Sequence, residues 1–112
     1  MKEIANTITT IKLTENNNVS YADLLMSCVN RPVKEGVDLK TMRRDLRIMG
    51  IIEDAILETK RQEKLPESKR EVVLMNFEDE DFKVIAKLVE ESQWVILHKD
   101  ILTFADLIIN LK

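Results

Sequence analysis

The clearest pattern in the chain runs from Asp38 to Ile56, DLKTMRRDLRIMGIIEDAI. At about 100° per residue, Leu39, Met42, Leu46, Met49, Ile52 and Ile56 fall on one side of a helix. Lys40, Arg43, Arg44 and Arg47 fall in a stripe on the other side. The spacing predicts an apolar face packed inward and a cationic face turned to a partner or to water. Asp38 is a good N-cap for this helix. Gly50 weakens it, by roughly 1 kcal/mol relative to Ala. The apolar positions change phase near Gly50 and Glu53 intrudes on them, so a bend or a helix end followed by a new turn is expected there.

Shorter patterns flank this helix. Asn6 to Leu13 is rich in β-branched residues and reads as a strand, although Ile4, Ile8 and Ile11 also fit helical spacing. Thr14 to Asn18 is polar and Asn-rich, and reads as a loop. Ser20, with Asp23 three positions on, forms a variant of the capping box. Tyr21, Leu24, Leu25, Cys28 and Val29 follow at helical spacing until Pro32 stops the helix, and Gly36 lies in the connection to the next. The last turns of the Asp38 helix fray over Glu58 to Lys64, and Arg61 to Arg70 forms an exposed connection holding Pro66. Glu71 to Phe77 reads as a second strand, able to pair with the first.

Glu78 to Asp81 opens a further helix carrying Phe82, Ile85, Ala86 and Val89, its four acids matched to the positive dipole end. Trp94 to Leu97 is a turn into the core or a brief strand. Asp100 caps a last helix with Ile101, Phe104, Ala105, Ile108 and Leu111 on one face. Leu102, Leu107 and Ile109 make that helix apolar on nearly every side, which exceeds what one face of a small domain buries. Those three residues are the candidate contacts of a homo-oligomer, expected to be a dimer. The fold class is α+β: about four helices and two or three short strands in a single domain, residues 1–112.

Composition narrows the function. The chain has 112 residues, 45% of them hydrophobic, which suits one domain with a real core. Lys and Arg number 17 against 20 Asp and Glu, so the net charge of −3 argues against coating nucleic acid through bulk positive charge. A lone cysteine, Cys28, excludes an internal disulfide. The opening MKEIANTITTIKL has no apolar core for a secretory signal, and no run approaches the ~18 apolar residues of a membrane span. A cytoplasmic protein without membrane contact is expected.

Chemistry-bearing residues are sparse. Cys28 and His98 are the only soft ligands, too few for a structural zinc site, and the acidic run lacks the alternating ligands of an EF-hand. No cofactor and no catalysis are expected, since His98 has no partner at motif spacing and two glycines make no phosphate loop. Lys40, Arg43, Arg44 and Arg47 remain as a candidate partner-binding stripe, against the plain alternative of a solvated face.

Two resemblances bear on this. TMRRDLRIMGII is similar to the recognition-helix region of DeoR-type helix-turn-helix repressors, with Thr41, Arg43, Arg44, Asp45, Leu46, Gly50 and Ile51 echoing the pattern. It departs from that family in a shorter spacing from Leu to Gly and in the long Pro32 to Asp38 connection. Tyr21 to Ala55, continued through Trp94, resembles small accessory proteins of tailed bacteriophages. The expectation is therefore a non-enzymatic interaction or assembly factor with a protein partner. A DNA-binding transcriptional regulator using the basic helix face is the alternative.

Overall fold

The computed structural model describes residues 1–111. The elements in order are β1 (Lys2–Ala5), β2 (Ile8–Thr14), β3 (Asn17–Ser20), α1 (Tyr21–Val29), α2 (Leu39–Glu63), β4 (Leu74–Phe77), α3 (Asp79–Glu91) and α4 (Lys99–Leu111), with a single 3-10 turn at Glu67–Lys69. The architecture is α+β, with four helices and two small antiparallel sheets among the described residues.

The N-terminal strand is divided. β1 pairs with β4 in the register Ile4↔Met75, while β2 turns back on β3 as a hairpin with Thr14 opposite Asn17. The partner of the Glu71–Phe77 segment is thus Lys2–Ala5 rather than Asn6–Leu13, and the Asn-rich loop is half strand. Asn6 occupies the changeover between the sheets. Its backbone N–H donates to the Val73 carbonyl at 2.8 Å. Its side chain accepts from the Ala22 N–H at 2.7 Å and donates to the Thr59 hydroxyl at 2.7 Å. A buried amide with every group satisfied joins the sheet end, α1 and α2.

The helix starts follow their caps. Ser20 and Asp23 form the reciprocal capping box of α1, and the Asp38 carboxylate accepts from the Thr41 N–H at 2.7 Å. α2 runs 25 residues without interruption through Gly50. The expected break is absent because propensity at one position is outweighed by continuous packing on both sides of it.

The inward face of α2 differs from the one its apolar spacing suggests. Ile48, Ile52 and Ala55 are buried, whereas Leu39, Met42 and Leu46 are 60%, 44% and 59% exposed. Projected back through the first two turns, the line of Ile48 and Ile52 passes through Thr41, Arg44 and Asp45, all half-buried. The helix is oriented by its C-terminal half, and its first turns follow.

The core gathers Ile4, Leu25, Ile52, Met75, Phe77, Phe82, Ile85, Phe104 and Ile108 from β1, β4 and all four helices. Tyr21 and Trp94 meet the Phe104 ring edge-on, with centroids at 5.2 and 6.3 Å. Among the described residues no helix is long and apolar enough to cross a membrane.

Candidate interaction surfaces

α4 is held against the hairpin by one carboxylate. Asp100 lies in its first turn, where its side chain accepts from the Thr10 N–H at 2.8 Å and the Thr10 hydroxyl at 2.7 Å. These two bonds hold the Asp100 carboxyl below its ordinary value. The capping role expected of Asp100 passes to His98, whose Nδ1 accepts from the Asp100 N–H at 3.0 Å and whose carbonyl accepts from the Ile101 N–H.

With α4 fixed in this way, Ile101, Phe104 and Ile108 face the core, and one flank stays open. The preceding loop bends at Val95 and Ile96 rather than entering the core or forming a strand. Trp94 anchors it, half-buried on Phe104, and Val95 and Leu97 stand fully exposed. The loop, the end of α3 and the open flank of α4 enclose a groove of about 660 Å³. Ile96, Leu97, Leu102 and Ile109 contribute to its apolar lining, while Glu90, Lys99 and Asp106 provide charge.

The three candidate oligomer contacts therefore separate. Leu102, 64% exposed, and the half-buried Ile109 share the groove. Leu107, 39% exposed, is absent from its lining and lies on the opposite flank of the helix. Ile96 and Leu97 of the exposed loop are the part of this surface that the sequence reading placed elsewhere, and Val95 beside them borders the cavity near Cys28. The loop's signal was there: three consecutive apolar residues beside a helix start are too short for a strand with no partner pattern.

The basic stripe also separates into two pairs. Lys40, Arg43, Arg44 and Arg47 line one cleft of about 750 Å³ together with Glu80 and Asp81 of α3. Arg47 grips the buried Asp81 with both branches of its fork, Nε at 3.0 Å and Nη2 at 2.7 Å. These bonds raise the Arg47 pKa further, so it is permanently cationic. Arg44 binds Asp45 at 3.0 Å, and Arg31 approaches the same carboxylate at 3.7 Å. Lys40 and Arg43 make no ion pair among the described residues. Only half of the stripe is thus free to meet a partner. Asp81, which sequence reasoning assigned to the helix dipole, is also the anchor of an arginine on another helix.

Other reactive groups sit apart. Cys28 is buried, and burial pushes its thiol above the ordinary value against the opposing effect of hydrogen bonds with Ser92 and Ser27. It borders a different cavity from the groove that includes His98. Among the described residues no three His, Cys, Asp or Glu side chains are grouped to hold a metal ion. Glu58 is held down to about 2 by the Arg61 fork and Gln62, which makes it a surface staple of α2. Compared with protein-family models, curated proteins and solved structures, the chain matches none.

Proposed function

We propose that the protein is a non-enzymatic interaction or assembly factor that works through protein contacts at the groove beside α4. One observation carries this reading: Leu97 is fully exposed, and it stands with the exposed Ile96 and Leu102 around a single concave surface. Covering a Leu or Val side chain contributes about 1.5–3 kcal/mol. A folded chain that leaves several uncovered in one place gains most from a protein surface that takes them up. The likeness of Tyr21–Ala55 to accessory proteins of tailed phages is consistent with such a role.

A photo-crosslinking residue at Leu97 tests the reading. It should join the chain to a polypeptide, where the same probe at the exposed Lys69 should not. Equal yields at the two positions would defeat it.

The second reading is a DNA-binding regulator. Lys40 and Arg43 favour it, since neither is engaged by an acid. The neutralisation of Arg44 and Arg47 and the net charge of −3 favour a protein partner instead. Gel-shift titration at low salt should show at most weak, sequence-indifferent binding. Tight, sequence-specific retardation at physiological salt would reverse the ranking.

A further inference from the structure

We infer that the partner at the α4 groove is a second copy of this chain, docked through an antiparallel, two-fold pairing of the two α4 helices. The inference rests on the reading of that groove as a protein-contact surface, and it is carried by the arrangement of charge along the open flank. Leu102 and Ile109 are seven residues apart, so they lie one above the other on that flank. Lys99 and Asp106 are also seven apart and run along the edge of the same stripe. Both are exposed, and the side chain of neither makes an ion pair or hydrogen bond among the described residues.

The signs decide the orientation. A two-fold axis crossing α4 between Leu102 and Thr103 maps the level of Lys99 onto that of Asp106. Each lysine then faces the second copy's aspartate, and both pairs form at once. A parallel pairing in register would set like charge beside like charge, Lys99 by Lys99 and Asp106 by Asp106. The flank is therefore complementary to itself in one direction and repulsive in the other.

The apolar residues fall into place under the same operation. Leu102 lies beside the axis and meets its own counterpart. Ile109 comes level with the second copy's Ile96 and Leu97, so the fully exposed loop gains a cover that its own chain does not provide. Ala105, small and half-buried, sits between Leu102 and Ile109 and permits close approach of the two helix axes. Leu107 has no part in this contact.

Sedimentation of the full chain across the micromolar range tests the inference, with circular dichroism as a check on folding. The wild-type chain should sediment as a dimer. Lys99→Asp and Asp106→Lys each set like charges opposite one another twice per dimer, and each alone should dimerise about tenfold more weakly or worse. An equimolar mixture of these two variants should recover dimers, because each chain then supplies the charge that the other lacks. A parallel pairing would recover on mixing too, but neither single variant would weaken it, because like charges already face one another in its wild-type dimer; the loss and the recovery together mark the antiparallel pairing. Leu102→Asp, at an exposed position, should be folded and monomeric.

A wild-type chain that remains monomeric throughout the range would overturn the inference. So would dimers that survive Leu102→Asp, or single variants that fail to recover on mixing. In those cases crosslinks from Leu97 to a different polypeptide would still support the groove as a contact surface, and the absence of crosslinks would remove both readings.

Discussion

α2 and α4 both carry more apolar side chains than the core accepts, but they dispose of the surplus differently. In α4 the buried face matches the apolar spacing, and of the excess Leu102 and Ile109 lie on a flank beside the exposed loop. In α2 the apolar spacing of the first two turns is not the buried face. Leu39, Met42 and Leu46 look outward, and the inward line there passes through Arg44 and Asp45. A helix orients as a rigid rod, so the half with the better-shaped neighbours decides for both halves. In α2 that half holds Ile48, Ile52 and Ala55.

The largest test of this comparison is a pair of truncations. Phe104→Ala, at the centre of the aromatic contacts, should cost about 3–5 kcal/mol in urea denaturation. Leu46→Ala should stay within about 0.5 kcal/mol, since the side chain is already in water. A loss of core size at Leu46 would mean that the α2 stripe is covered in solution.

A second pair separates structural charge from spare charge. Asp81→Ala removes the buried acceptor of Arg47 and a favourable acid in the first turn of α3, and should cost about 2 kcal/mol. Arg43→Ala, one turn before Arg47 on the same stripe, should change stability by less than about 0.5 kcal/mol. Equal losses would show that the stripe is a single structural unit. Reversing Arg44 and Arg47 is accordingly a poor probe of binding, because both hold acids of the fold; Lys40 and Arg43 are the positions for that purpose.

The smallest effect is a gain. A methyl group at Gly50 meets no atom within 4 Å, so Gly50→Ala should stabilise the protein by up to about 1 kcal/mol in thermal melts. A loss would mean that the helix needs to flex at this point after all.

What the sequence disclosed depends on whether its cause is local. The N-caps at Ser20 and Asp38 are chemistry between neighbours and are present, whereas the third expected cap, Asp100, is drawn to Thr10 of the hairpin. The α3 face of Phe82, Ile85, Ala86 and Val89 is a regular period on a short helix, and it is buried as read. The β2–β3 hairpin was missed because its ladder is irregular and its turn, Glu15-Asn16, carries no glycine. The true face of α2 was hidden because the packing of Ile48, Ile52 and Ala55 on tertiary neighbours, which no local pattern discloses, orients the whole helix. Of the two surfaces, Leu102, Ile109 and the basic residues were named from the sequence, but the exposed loop and the grouping of the residues were not. The groove exists because Trp94 pins a loop onto Phe104, and the basic stripe is halved by acids of which Asp81 lies far away in the chain.

The pairing of β1 with β4 has a kinetic meaning. The hairpin and α1 can form from contacts near in sequence, but Ile4 acquires its strand partner only when Met75 arrives. Closing so long a segment costs chain entropy before any ladder bond repays it. On the ribosome, β1 waits unpaired through the synthesis of α1 and α2, with an apolar edge open to neighbouring chains. The last strand to be made thus acts as the latch of the first, and the time before it closes is when this protein is most exposed to misassembly.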